Sequence, residues 1–375
     1  MPNPGGTQTI VLELARGLSE WGSKHREGGH VNVTVVTQTL GPWEEDASLP
    51  FNLIRCPDLR RFIRLLRETD IVHLAGPAML PLALGLLFRK PIVIEHHGFQ
   101  VACPNGLLFY EPTQSPCPGH FMAKRYDKCL ECNNATMGRL KSFGQLVLTS
   151  VRRWLSGRTD MNILPTEWLG TVLKLRRMSR VHHGISPVSS LASAEPSPST
   201  FGFQGRLVST KGINLLLQAA AQLRHEGYNF RIKIVGDGPE LNRLRLMAAE
   251  SGVNIEFLGH IPENRLQESL SDVSTIVMPS LGGEVFGLVA SENMQRGKLL
   301  IVSDLGALRE VVGDAGLIFR TGDADDLASC MRRVLDNPTL TRSLGSAARF
   351  RIEHVFRRDR MIQEHIRIYE AALLR

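Results

Sequence analysis

Residues 201–227 read FGFQGRLVSTKGINLLLQAAAQLRHEG, an apolar run, a turn with glycines and cations, and a helical apolar pattern. This order predicts a strand, a tight turn and a helix that packs back on the strand. The same alternation continues to residue 303, through the strand-like runs RIKIVG, IEFLG, STIVMPS and LLIVSD. Strands that alternate with helices predict a parallel sheet covered on both faces.

The first half of the chain shows the same alternation. Its predicted strands are VNVTVVTQT (31–39), FNLIRC (51–56), DIVHLAG (70–76), PIVIEHHG (91–98) and MNILPT (161–166). The Ser- and Pro-rich run SSLASAEPSPST (189–200) predicts a linker. We therefore predict an α/β protein with two Rossmann-like domains facing a cleft, where ligands bind beyond the carboxyl ends of the strands. The predicted units are residues 1–190, a linker at 191–200, residues 201–355 and a terminal helix at 356–375.

Composition narrows the classes of function. The 375 residues are 43% hydrophobic, with 34 glycines and a net charge of +7. That charge favours anionic ligands, but no dense basic stripe or nucleic-acid motif is present, so we predict no nucleic-acid partner. The apolar run at 77–88 is too short to span a bilayer. No signal peptide is visible, and a cytoplasmic protein is expected.

Two cations flank the turn after the strand at 201–204. Arg206 and Lys211 beside a helix amino terminus suit a diphosphate, because charge-assisted hydrogen bonds add to the free amide groups and the helix dipole. Glu292, on a predicted helix in the same domain, suits a ribose diol. The alternative is a surface Arg and Lys beside an ordinary turn.

The stretch GGEVFGLVASEN (282–293) places two carboxylates eight positions apart. Its glycines predict a loop that carries Glu284 and a helix that starts near Gly287 and carries Glu292. Both carboxylates and the helix amino terminus would then face one crevice. The turn VGDGPE (235–240) lacks the GxGxxG dinucleotide fingerprint, and a plain turn is the simpler interpretation.

The first half contains further candidate site residues, which are expected on the opposite wall of the cleft. Gly5 and Gly6 precede a helical run and would let backbone amides approach a phosphate or sugar. EHHGF (95–99) puts two histidines at the carboxyl end of a strand, where an imidazole can donate to a substrate hydroxyl. His97 is preferred to His96 because it directly precedes the glycine, and a purely structural histidine is the alternative.

Four of the six cysteines fall within thirty residues: Cys103, Cys117, Cys129 and Cys132. The spacing C-x13-C-x11-C-x2-C allows a structural zinc site with four thiolates, because the closing CxxC is metal-like. The long first spacings leave reduced free thiols or a redox pair as alternatives.

Several of these motifs together resemble the motifs of a known protein family. GRLVSTKG, VGDGP, LGHIP, MPSLGGEVFGLVASEN and GALREVVGDAGLIF, in that order, resemble the retaining glycosyltransferases of family 4, which have the GT-B fold. PGG, HHG and HHGIS (182–186) continue the match in the first half, and the cysteine-bearing insertion is similar to that of some bacterial members.

The resemblance implies roles for residues already singled out. Glu292 would hold the ribose, and Arg206 with Lys211 the diphosphate. Glu284, with the following Phe286 and Gly287, would face the donor sugar. The resemblance further implies a nucleotide-diphosphate sugar as donor, a hydroxyl acceptor and no metal requirement, so that no cofactor is expected.

The chain departs from the family pattern at several positions. Asn293 stands where Ala is usual, Ala307 where a second Gly is common, and His183 where Asn usually precedes Gly-Ile. Family members also begin with an apolar strand before the Gly-Gly loop, so the first strand of the first domain is expected to be missing. In a 3-2-1-4-5 order this would leave VNVTVVTQT and DIVHLAG without their shared neighbour.

Other functions remain open at this point. A nucleotide-binding or interaction protein with a four-cysteine metal site, an inactive truncated form, and a GT-B epimerase or phosphorylase would share the fold. Residues 137–157 form a basic amphipathic pattern that predicts peripheral contact with an anionic membrane at its inner face, with an ordinary domain helix as the alternative. The terminal helix, by resemblance, would cross back to the first domain.

Overall fold

The computed structural model describes residues 5–24, 31–41, 44–186 and 197–374. The strands are β1 Thr34–Thr37, β2 Asn52–Arg55, β3 Val72–Ala75, β4 Ile92–Glu95, β5 Phe109–Tyr110, β6 Ser115–Pro116, β7 Met161–Leu164, β8 Met178–Arg180, β9 Ser197–Gln204, β10 Arg231–Val235, β11 Asn254–Gly259, β12 Val273–Met278, β13 Leu299–Ser303 and β14 Leu317–Phe319. The helices are α1 Gly6–Lys24, α2 Leu59–Glu68, α3 Met79–Leu87, α4 Tyr126–Met137, α5 Arg139–Ser156, α6 Glu167–Leu173, α7 Ile213–His225, α8 Leu241–Glu250, α9 Glu263–Ser269, α10 Leu288–Gln295, α11 Gly306–Val312, α12 Ala324–Asp336, α13 Thr339–Val355 and α14 Arg358–Leu373.

The second half is a doubly wound domain built on six parallel strands. Their order is β11-β10-β9-β12-β13-β14, which is the 3-2-1-4-5-6 order of a Rossmann fold. Every residue of β12 and β13 is buried, because helices cover both faces of the sheet. The strand β9 begins at Ser197, so the last four residues of the predicted linker belong to the sheet, and residues 187–196 lie outside the described residues.

The sheet of the first half is divided. Strands β3, β4, β7 and β8 form one parallel sheet, and β1 pairs in parallel only with β2. In the described part of the chain no strand lies between β1 and β3, and this is the position at which the resemblance predicted a gap. Strand β4 is fully buried, whereas β1 alternates between exposed and half-buried residues. The prediction of two Rossmann-like units is confirmed.

Helix α14 follows the second half in sequence but packs on the first. Its apolar face joins a core with Leu14 and Leu18 of α1 and Val93 of β4. Arg358, at its start, pairs with Glu13 and Glu20 of α1 at 3.0 and 2.9 Å. The apolar residues that α14 contributes to this core are Met361, Ile362, Ile366, Ile368 and Ala372.

The contact between α1 and α14 is close at Gly17. A Cβ atom at this position would lie 2.3 Å from Cδ1 of the buried Ile362. Gly144, in the middle of α5, has no atom within 4 Å of the same point. The two glycines are therefore a matched pair, one in a tight helix contact and one in open space.

We predict opposite effects for Gly17→Ala and Gly144→Ala. Alanine favours a helix by about 1 kcal/mol over glycine, and Gly144→Ala should gain up to that amount. Gly17→Ala should be less stable than Gly144→Ala by about 1–3 kcal/mol, because the added methyl group displaces Ile362. Urea unfolding followed by circular dichroism measures both, and equal stabilities would show that α14 does not pack on α1 in this way.

Candidate functional site at the switch of strand order

The candidate site lies where the strand order of the second half reverses. Strands β9 and β12 are neighbours, and the chain leaves their carboxyl ends toward opposite sides of the sheet. Crevices at such switch points bind ligands in open α/β sheets. The segment after β9 carries Arg206 and Lys211, and the segment after β12 carries Glu284.

These two segments are joined by backbone and side-chain hydrogen bonds. The carbonyl of Thr210 accepts the amide of Leu281 at 2.7 Å. Lys211 Nζ forms a very short ion pair with Glu284 Oε1, to which Ser280 Oγ also donates at 3.1 Å. Glu284 is 7% exposed, so its carboxylate is held in one place by the lysine and the serine. Arg206 is exposed, five positions before Lys211 on the segment that follows β9.

Glycines shape the backbone on both sides of the site. Gly212 has φ +62° and lies so close to the carbonyl of Pro279 that a Cβ would approach its oxygen to 2.0 Å. Gly287 has φ +93° and is the N-cap of α10. The helix therefore begins at the residue that the sequence predicted, with its amide groups at the crevice, and Glu292 follows in its second turn as a half-buried residue.

Phe286, close to Glu284, and Asn293, next to Glu292, have structural roles. Phe286 is 1% exposed and its ring lies 4.9 Å from His183 and 5.5 Å from Phe356, so only its backbone can face a ligand. Asn293 Nδ2 donates to Gln204 Oε1 at 2.9 Å and so links α10 to the end of β9. This contact gives a physical reason for the departure from Ala at position 293.

The glycine turn of the first half faces the same helix. Gly6 begins α1, and a Cβ on it would lie 3.0 Å from Cδ1 of Leu288, the first residue of α10. Gly5 and Gly6 are both exposed. The structure thus brings Gly6 of the first half against Leu288 at the start of α10.

Three further contacts connect the halves around this crevice. Glu310 of α11 accepts the amides of Glu167 and Trp168, at the start of α6, at 2.8 and 2.9 Å. Gly283 donates its amide to the carbonyl of Leu107 at 2.7 Å. A carboxylate at a helix amino terminus is favourable, yet nothing in the sequence marked Glu310 for this role.

The cysteine-bearing segment lies against the second half. Phe109, between Cys103 and Cys117, is fully buried in the core of the second half. Cys103, Cys117, Cys129 and Cys132 line one small cavity.

In the described chain only Glu95, His97 and His183 bring three metal-ligand atoms within 4.8 Å of one another. The zinc site that the four thiols suggested stays a prediction.

The two histidines of EHHGF point in different directions. His96 is fully buried, its Nε2 lies 2.9 Å from Asn162 Oδ1, and burial lowers its pKa to about 4. It is a core residue. The side chain of His97 is 7% exposed, stacks on His183 with ring centroids 5.3 Å apart, and directs Nε2 to Glu95 at 3.6 Å.

Glu95 is the residue here that sequence reasoning missed. Burial raises the pKa of Glu95. The charge of His97 and the contacts with His183, His365 and His73 lower this pKa by more, so that it lies well below its usual range. Burial lowers the pKa of both His73 and His183. A buried carboxylate is thus surrounded by four imidazoles, and in two of them, His73 and His183, burial favours the neutral form. The only local signal was its place beside two histidines, since the other partners come from distant segments.

Comparisons with known proteins identify the family of this chain. Residues 192–351 match the family model described as glycosyl transferases group 1. Phosphatidyl-myo-inositol mannosyltransferase of Mycolicibacterium smegmatis is 32% identical over 378 residues, covering 98% of this chain and 90% of that protein. The fold and site define a two-domain glycosyltransferase of the GT-B type. The chain belongs to the family of group 1 glycosyl transferases.

Other relatives match over part of their length or in fold alone. 2-Deoxystreptamine glucosyltransferase of Streptomyces kanamyceticus is 28% identical over 215 residues, and the match spans 51% of this chain and 55% of that protein. The structure of HepE from Anabaena in complex with UDP-glucose superposes with a TM-score of 0.68 and 16% identity, over 98% of this chain and 96% of that one.

Proposed function

We propose that the protein transfers a hexose from a nucleotide-diphosphate sugar to a hydroxyl acceptor, with retention of the anomeric configuration and without a metal ion in the reaction. The observation that carries this proposal is the meeting of the segments after β9 and β12 at the switch point, where Lys211 pairs with Glu284 three residues before the N-cap of α10. Lys211, the amino terminus of α10 and Arg206, on the same segment as Lys211, would supply positive charge where a leaving diphosphate gathers negative charge. Relatives named as a mannosyltransferase and a glucosyltransferase support a hexose.

Each site residue has a defined task in this scheme. Glu292 holds the ribose hydroxyls, Arg206 and Lys211 hold the diphosphate, and Glu284 with the backbone at Phe286 and Gly287 lines the sugar pocket. Gly5 and Gly6 close the crevice from the first half. The similarity in fold to HepE, which was solved in complex with UDP-glucose, supports a nucleotide sugar as donor.

The reaction conserves atoms and charge without a redox partner. The bond from the anomeric carbon to the diphosphate breaks, and the acceptor oxygen bonds to that carbon on the same face. The acceptor proton passes to the departing diphosphate oxygen, which acts as the base. His97, in this scheme, orients the acceptor or donor hydroxyls through Nδ1, because its Nε2 is directed at Glu95.

We further propose that residues 1–190 bind the acceptor, residues 201–355 bind the donor, and α14 carries the movement between them. Contacts from α14 to α1 and β4 support this division. All six cysteines are free thiols, as expected for a protein of the reducing cytoplasm. No helix in the described ranges has the length and apolar content needed to cross a membrane.

Helix α5 supports contact with a membrane surface. It directs small polar residues inward, with Ser142, Thr149 and Ser156 fully buried. Large apolar residues point outward along one face. They are Leu140, Phe143, Val147, Val151 and Trp154.

This distribution is the inverse of that in an ordinary domain helix, whose apolar face is buried. Arg139 and Lys141 lie exposed at the start of the helix, and Arg158 stacks over Trp154 at 3.5 Å. Apolar side chains flanked by cations suit an anionic lipid surface. We propose that α5 binds the inner membrane face and that the acceptor is lipid-linked, as in glycoconjugate synthesis. The similarity to a phosphatidyl-myo-inositol mannosyltransferase also supports such an acceptor.

Nucleotide binding tests the donor pocket. Glu292→Ala, Arg206→Ala and Lys211→Ala should each weaken binding of the preferred nucleoside diphosphate by about 1–3 kcal/mol, typical of hydrogen bonds to charged groups. Calorimetry with UDP, GDP and ADP measures this. Glu250→Ala and Lys128→Ala, exposed residues remote from the site, are the matched controls. The pocket is wrongly assigned if the site variants bind as tightly as the controls.

Product stereochemistry tests the reaction. A donor screen followed by NMR of the anomeric proton should show the configuration of the donor kept in the product. An inverted product would refute retention. Nucleotide binding without transfer to any hydroxyl acceptor would instead favour the alternative, an inactive nucleotide-binding protein.

Vesicle flotation tests the membrane face. The full chain should float with anionic vesicles at low salt and not with neutral ones, because the cations of α5 must meet anionic headgroups. The double variant Phe143→Ser/Trp154→Ser should lose most of this binding. Phe350→Ser removes an aromatic residue that is 63% exposed on α13 and should bind like the unchanged protein. Equal flotation of both variants would rule out α5 as the contact.

A further inference from the structure

Four imidazoles converge on one buried carboxylate between the first half and α14. Glu95, the last residue of β4, is fully buried. Ring nitrogens from four separate positions in the chain face its two oxygens. They are His73 Nε2 at 3.3 Å, His183 Nδ1 at 3.4 Å, His97 Nε2 at 3.6 Å and His365 Nε2 at 3.7 Å.

These distances are long for hydrogen bonds. Charge-assisted N–H···O bonds measure about 2.7–2.9 Å, and both oxygens of Glu95 and all four of these nitrogens are buried without a hydrogen-bond partner. Ligands at about 2.0–2.1 Å from a tetrahedral ion lie about 3.3–3.4 Å from one another. The spacings from Glu95 to His183 and His97, 3.4 and 3.6 Å, are closer to this ligand separation than to a charge-assisted hydrogen bond.

The ring of His365 is held with one nitrogen toward Glu95. Its Nδ1 lies 2.8 Å from the carbonyl oxygen of Met361. A carbonyl only accepts, so Nδ1 donates its hydrogen there, and Nε2 is the ring nitrogen that faces the carboxylate. A buried carboxylate is costly without a positive charge close by. Among the described residues, the ion-pair partners of Glu95 are all histidines, with no lysine or arginine.

We propose that Glu95, His97 and His183 bind a divalent transition-metal ion of the zinc class. One carboxylate and two imidazoles are a donor set that such ions accept, and the three ligand atoms already lie within 4.8 Å of one another. His73 and His365 face Oε2 of Glu95 and orient the carboxylate, and Tyr369 lies 2.9 Å from His73 Nδ1 and so fixes that ring.

An ion at this place would have a structural role, and by binding Nε2 of His97 it would leave free the Nδ1 that the proposed function uses. It joins β4 and the segment after β8, and through the orienting His365 it ties α14 to the first half. His183 contacts the ring of Phe286, so the ion would also fix the surface on which the loop of Glu284 rests. The proposal therefore does not depend on the proposed function.

Zinc binding to the full chain tests this site. The protein is purified, stripped with a chelator, and titrated with zinc in a calorimeter, with bound metal counted by mass spectrometry. We expect one equivalent of zinc at the histidine site and a melting temperature that rises on zinc addition. His183→Gln should weaken zinc binding by more than about 100-fold, and His73→Gln by about 10–100-fold.

His182→Gln is the matched control. His182 is adjacent in sequence and half-buried, but its Nδ1 faces the carbonyl of Pro165 at 2.9 Å and does not face Glu95. This variant should bind zinc like the unchanged protein. Circular dichroism of each variant excludes loss of folding as the cause of a change.

Cobalt substitution separates this site from the four cysteines and needs no variant. Nitrogen and oxygen ligands should give only ligand-field bands, whereas thiolates add intense charge-transfer bands. Thiolate bands together with zinc binding that His183→Gln leaves unchanged would place the metal at the cysteines and overturn the proposal. A chain that binds no zinc and melts at the same temperature with and without it would also overturn it, and a protonated histidine would then balance Glu95.

Discussion

The reversal of strand order between β9 and β12 is the constraint on which the site in the second half depends. Parallel strands need crossover connections, and a sheet that winds in both directions from its centre leaves a crevice at the point of reversal. The segments after β9 and β12 therefore meet, although they are far apart in sequence. The pairing of Lys211 with Glu284 follows from this topology, as does the approach of Gly212 to Pro279.

Backbone amide groups supply much of the positive charge in this crevice. The amino terminus of α10 begins at a glycine in the left-handed region, so its amide groups are open to the crevice and no side chain covers them. Two cations complete the positive field, and one is already neutralised by Glu284. A dianionic ligand would compete for Lys211, so donor binding and the position of Glu284 are coupled through that lysine.

The two halves are joined through groups that are polar and buried. Glu310 receives the first amides of α6, and α14 returns to the first half with a core of aliphatic residues around an uncommon polar centre, Glu95 and its histidines. Burying a carboxylate costs free energy unless it is paired. The stability of this joint thus depends on what supplies the positive charge at Glu95, whether a proton or an ion.

The sequence by itself determined the features that are local. A strand, a turn and a helix within thirty residues follow from hydrophobic period and glycine placement, so the Rossmann units and Gly287 as the start of α10 could be predicted. Only the tertiary structure decided which side chains face inward. It buried Phe286 and His96, turned the apolar face of α5 to solvent, and gathered the four thiols around one small cavity. It also brought together Glu95, His73, His183 and His365, because strand ends and a returning helix meet there from across the whole chain, and no local pattern encodes a contact between residues that far apart.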